Sequence, residues 1–142
     1  MNKSKRNVLL LILLLLVAGS FYYYTFYKKP VNIVFKEQGK TELSAGKITM
    51  KVYDHDAEDG DSIQVYFQNK MIADSLGILN TPVSYNLGNL SAGEYRIGVT
   101  AINEGMSSPA SAYIVLSDGK TEKEFSMDAW KDSAAGWKVT IK

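Results

Sequence analysis

Five acidic residues, Asp54, Asp56, Glu58, Asp59 and Asp61, fall within the eight positions of the stretch DHDAEDGD. Closely spaced carboxylates suit a hard cation. Calcium takes six to eight oxygens at roughly 2.3–2.6 Å, and Gly60 lets the backbone turn inward among the acids. Asp54, Asp56, Asp59 and Asp61 are therefore the candidate metal ligands, and calcium the candidate cofactor. The spacing is not that of an EF-hand. Counted from Asp54, the glycine falls at position 7 rather than 6, and position 12 is Val65 rather than a glutamate. The same residues also suit a solvated turn in which Asp side chains cap backbone N–H groups. Both readings stand at the level of sequence.

Other chemistry is excluded more firmly. The chain has no cysteine, so it offers no disulfide, thiolate metal site, cysteine nucleophile or lipoprotein anchor. His55 is its single histidine, which argues against a multi-histidine zinc site and a serine–histidine–aspartate triad. It reads as a loop histidine exposed to water. No glycine-rich phosphate loop or nucleophile elbow occurs. Acids gathered in one hydrated loop are poorly placed for glycoside hydrolysis, which needs two carboxyls roughly 5–10 Å apart across a cleft. The expectation is a protein without catalytic residues and not an enzyme. From residue 30 onward, eleven of the sixteen basic residues face all fifteen acidic ones, a net charge of −4. That balance argues against nucleic acid as a partner.

The acidic loop sits between two alternating runs. Ile48, Met50 and Val52 precede it, and Ile63, Val65 and Phe67 follow, each with the period of two of a half-buried strand. Further alternating runs cover 82–87, 95–101, 110–116, 121–127 and 136–142, with Met71 to Asp74 able to pair back after a turn at Asn69-Lys70. Val31 to Phe35 can be a first strand or a stiff linker. Glu37 to Gly46 reads as loop, and Asn103 to Pro109 as a loop rich in turn formers. No segment after residue 30 keeps a period of 3.6. Eight or nine short strands of this spacing predict an all-β sandwich or small barrel. Trp137 and Phe67 are the expected centre of its core. Tyr53, Gln64 and Tyr66 fall on the opposite face, where aromatics can stack on sugar rings or a protein partner, or pack beneath a loop.

The first thirty residues form a separate block. A basic head, residues 1–7, precedes Val8 to Tyr27, twenty residues without a charge. As a helix that run spans roughly 30 Å, the thickness of a bilayer's hydrocarbon core. The aromatic cluster FYYYTFY at its far end suits the membrane–water interface. A cleaved signal peptide with its exit at Ala18-Gly19-Ser20 is the competing reading. Lys3, Lys5 and Arg6 outweigh Lys28-Lys29, which places the N-terminus in the cytoplasm and the domain outside the cytoplasmic membrane.

Two resemblances add to this. Leu90 to Ser111, with Leu90, Gly93, Tyr95, Val99, Ala101, Asn103, Gly105, Ser108 and Pro109, resembles the last hairpin of a fibronectin type III or immunoglobulin-like domain. It implies a tyrosine corner in which the Tyr95 hydroxyl bonds backbone just upstream. The tryptophan those domains carry in an early strand is missing. Over residues 48 to 119, the motif Glu58-Asp59-Gly60-Asp61-Ser62-Ile63, then Asn69, Ala101-x-Asn103-x-Gly105 and Ser108-Pro109, is similar to a family of secreted bacterial (Bacteroidetes-type) and phage β-domains. Asn69-Lys70 and Pro109-Ala-Ser-Ala112 depart from that family's Asn-Gly and Pro-Asn-Thr-Ala. The family has no settled activity, so the resemblance bears on fold and compartment.

The expected organisation is a cytoplasmic tail (1–7), a transmembrane signal anchor (8–27), a linker with a candidate first strand (28–46), and an immunoglobulin or fibronectin III-like β-sandwich (47–142). The expected function is an extracytoplasmic protein-binding or structural module, with calcium as a stabiliser. A carbohydrate-binding module is the alternative, and a domain released by signal cleavage, with an enzymatic role, is the third.

Overall fold

The computed structural model describes residues 2–26, 32–55 and 58–142. The chain divides into two units, residues 1–33 and residues 34–142.

The first unit contains helix α1 (Lys3–Phe26). Every side chain from Val8 to Val17 is at least half exposed, on all sides of the helix. Among the described residues no helix is long and apolar enough to cross a membrane, and the side chains described without a break along α1 are those of residues 7–20. Tyr27, where the expected anchor ends, and the linker residues Lys28 to Val31 lie outside the described residues.

The second unit is all β. Its described strands are β1 (Phe35–Leu43), β2 (Gly46–Tyr53), β3 (Asp61–Phe67), β4 (Lys70–Gly77), β5 (Val83–Leu90), β6 (Gly93–Glu104), β7 (Ala110–Ser117), β8 (Glu122–Ala129) and β9 (Ala134–Ile141). They form a five-stranded sheet in the order β1-β9-β6-β3-β4 and a four-stranded sheet in the order β5-β2-β7-β8. All ladders are antiparallel except β1 with β9, which is parallel. The alternation read from the sequence sets the inner faces. Ile48, Met50 and Val52 of one sheet and Ile63, Val65, Ile97 and Val99 of the other meet in one buried cluster with Ile114, Leu116 and Met127. At about 25 cal/mol per Å2 of apolar surface removed from water, such side chains stabilise the fold by roughly 1.5–3 kcal/mol each.

Three expectations are corrected. Glu37 to Gly46 is not a loop, because β1 runs through most of it. Lys36, Glu37, Gln38, Lys40 and Glu42 are exposed along this sheet edge, where polar side chains discourage pairing with another chain. Gln38 nevertheless ties the edge across to the other sheet, donating from Nε2 to the Asp128 carbonyl at 2.6 Å and accepting from Asp128 N–H at 2.9 Å. Next, Leu90 to Ser111 is not a hairpin. β6 pairs with β3 and β9, while β7 crosses to the other sheet and pairs with β2 and β8. Finally, Trp137 and Phe67 flank the core rather than centre it. Trp137 stacks on Phe125 at a centroid distance of 4.1 Å, and Phe67 stacks on Tyr95 at 5.7 Å. The centre is aliphatic, since Ile, Val, Leu and Met fill the narrow space between two sheets without a ring edge to accommodate.

The tyrosine corner is present. Tyr95 Oη donates to the Ser91 carbonyl at 3.1 Å, four residues upstream.

Candidate functional site

The acidic loop joins β2 to β3, and residues 54, 55 and 58–60 of it are described. It leaves β2 at Asp54 and enters β3 at Asp61. Asp54 N–H donates to the Leu79 carbonyl at 2.8 Å, and Ile78 N–H donates to the Asp61 carbonyl at 3.0 Å. Both ends of the loop are thereby fixed against the segment that follows β4. Asp61 also stands opposite Glu104 in the β3–β6 ladder, so the start of β3 lies beside the end of β6. The chain after β6 then crosses over these acids to reach the other sheet.

Two carboxylates pin that crossing. Asp59 accepts Met106 N–H at its carbonyl (3.2 Å) and Ser107 N–H at Oδ2 (3.0 Å). Asp61 accepts Ser111 N–H at Oδ2 (3.2 Å). Asn103 supports the turn, donating to the Gly60 carbonyl at 3.2 Å and accepting Gly105 N–H at 3.3 Å. Gly60 and Gly105 hold φ of +93° and +62°, where a side chain is strained. At Gly105 there is a second reason for glycine. A Cβ built there would collide at once with Asp59 Oδ1 and, at 2.5 Å, with Asp61 Oδ1. The two oxygens thus converge on one small cradle.

Neither of those oxygens has a hydrogen-bond partner among the described residues, and both are shut off from water. Asp61 as a whole is only 6% exposed, and Asp54 only 8%. Asp54, Asp59 and Asp61 line one cleft of about 410 Å3 with Met106, Ser107, Ser108, Pro109 and Ser111. Burial pushes the Asp61 carboxyl up to about 6, opposed by the Ser111 N–H and reinforced by the neighbouring Asp59 and Asp54.

The four candidate ligands therefore divide. Asp54, Asp59 and Asp61 come to one cleft. Asp56 lies outside the described residues. Glu58, the fifth acid of the run, turns away and accepts Asn80 N–H at 2.7 Å. Among the described residues, no group of three or more histidine, cysteine or acidic side chains is arranged to hold a metal ion. Gly105, Ser107 and Ser111 were not candidates. Gly105 and Ser107 fall in the turn-forming loop 103–109 and Ser111 in the run 110–116, and neither pattern reveals where the loop folds. His55 is exposed as expected, its ring 4.8 Å from that of Tyr113.

The expected aromatic face is split between the two sheets, with Tyr53 in β2 and Gln64 and Tyr66 in β3. Tyr53 meets Tyr113 edge-on at 5.1 Å on the outer side of the β2–β7 ladder. Tyr66 is buried, its ring 5.5 Å from Phe35 and its hydroxyl donating to Gln64 at 2.9 Å. No family model, curated protein or solved structure matches the chain.

Proposed function

We propose that this chain is a single-pass membrane protein whose N-terminal helix holds an immunoglobulin-like β-sandwich outside the cytoplasmic membrane, where the sandwich acts as a protein-binding or structural module without catalytic activity. The observation that carries the reading is the uninterrupted apolar surface of α1, exposed on every side from Val8 to Val17. Such a surface in water is opposed by the hydrophobic effect and in lipid is stable. The aromatic end of the run supplies an interfacial belt, and the basic head supplies the orientation.

The immunoglobulin-like assignment is supported by the central order β9-β6-β3 in one sheet and the pair β2-β5 in the other, which parallel the G-F-C and B-E arrangements of that architecture. The Tyr95 corner adds to it. The β7-β8 pair is then an insertion between the two final strands. A protein partner is preferred to a carbohydrate because Tyr66, part of the expected stacking platform, is buried under Phe35.

Membranes from cells expressing the full chain test the reading. The protein should resist a carbonate wash, begin near Met1, and be cleaved by protease added to the outside of intact spheroplasts. Recovery of a soluble form that begins near Phe21 would sink the anchor. Tight retention on insoluble polysaccharide, lost with Tyr53→Ala and Tyr113→Ala, would replace the protein-binding role with a carbohydrate one.

A further inference from the structure

We infer that Asp59 and Asp61 form the anionic core of a calcium site that locks the β6–β7 crossing to the acidic loop. The site goes beyond the proposed role at the membrane and stands without it. Each carboxylate spends Oδ2 on the crossing, on Ser107 N–H and Ser111 N–H. Each leaves Oδ1 buried and unpartnered among the described residues, aimed at the same cradle beside Gly105. An unpaired polar atom withheld from water is destabilising, and more so when it is charged. Two carboxylates in such proximity also repel each other. One divalent cation between them satisfies both oxygens and cancels both charges.

The donor set selects the ion. Among the described residues, Asp54, Asp59, Asp61, Ser107 and Ser108 bring side-chain oxygens to the cleft, which the Met106 thioether also lines. Oxygen-rich, irregular surroundings without histidine or cysteine suit calcium, whereas zinc favours histidine and cysteine, and magnesium demands near-ideal octahedral geometry. The Asp59 and Asp61 carboxylates anchor the segments before β3 and after β6, so the bound ion joins two parts of the chain that are far apart in sequence.

The test is thermal unfolding of the full chain in detergent micelles at pH 7.5, in EDTA and with CaCl2, MgCl2 or NaCl at matched ionic strength. With a Kd near 1 mM, typical of extracellular modules, 10 mM calcium should raise Tm by roughly 4–8 °C. Magnesium should raise it by less, and NaCl should not reproduce the rise. Asp61→Asn keeps an acceptor for Ser111 N–H but removes one charge. It should abolish the calcium response while leaving Tm in EDTA unchanged or higher. Asp59→Asn should do the same and serves if the first variant does not fold. The site is overturned by a wild-type Tm that ignores 10 mM calcium. It is equally overturned by a calcium shift that persists in both variants, or by a magnesium shift as large as that of calcium. None of these outcomes bears on carbonate resistance, so the anchor and the metal site stand or fall separately.

Discussion

Gly98 stands directly opposite Gly136 across the β6–β9 ladder, and the ring of Phe35 lies in the slot that the two glycines leave. A Cβ on Gly98 would run into the far side of that ring, and one on Gly136 would meet the Phe35 Cβ at 2.9 Å. The slot explains why the outer face of this sheet is covered. Phe35, where β1 begins, roofs it and buries Tyr66 beneath.

Gly98→Ala should therefore destabilise the domain by about 1–3 kcal/mol, the usual cost of overpacking. Phe35→Ala removes the obstruction. In a double-mutant cycle read by urea unfolding, Gly98→Ala should cost far less in the Phe35→Ala background than alone. Additive costs would mean that the ring does not occupy the slot.

Trp137 makes a second such contact on the other face of β9, where its ring stacks on Phe125 and lies against Gly39. Trp137→Ala should cost about 3–5 kcal/mol. Trp137→Phe should cost much less, within about 1.5 kcal/mol. It keeps a stacking ring and deletes an indole N–H that is buried without a partner among the described residues. Chemical denaturation of the two variants decides between them, and equal losses would show that stacking contributes little.

Asp118 gives the domain an acid-sensitive clamp. Its carboxylate accepts Lys120 N–H (2.9 Å), Thr121 N–H (2.7 Å) and Ser44 N–H (3.1 Å), joining the β1–β2 and β7–β8 turns. These backbone donors, led by Thr121 and Lys120, lower its pKa from 3.8 to about 2. The folded pKa lies below the unfolded one, so the unfolded chain binds the proton more readily between them. The stabilisation is fully present above pH 4 and is lost as pH falls toward 2. Asp118→Asn should flatten the pH dependence of Tm across that window. A wild-type Tm as insensitive to that window as the variant's would assign the clamp no such role.

What the sequence determined by itself is local. Alternation of Ile48, Met50 and Val52, and of Ile97 and Val99, marks strands and their buried faces, because the side-chain period of a strand is two whatever it pairs with. Turn chemistry marks the breaks between them, and the Leu90–Gly93 turn with Tyr95 announces the tyrosine corner. The acids 54 to 61 mark a loop between two strands. What the tertiary structure decided is who meets whom. β1 shows weak alternation because it is a polar edge, and its parallel partner β9 lies about a hundred residues away. The crossing of β7 to the second sheet is a matter of packing and not of local propensity. That crossing is also what places Gly105, Ser107 and Ser111 on Asp59 and Asp61, while Glu58 turns to Asn80. Five adjacent carboxylates look alike in a sequence. Burial beneath the β6–β7 crossing distinguishes Asp59 and Asp61 from the exposed Glu58, and it depends on chain folded from elsewhere.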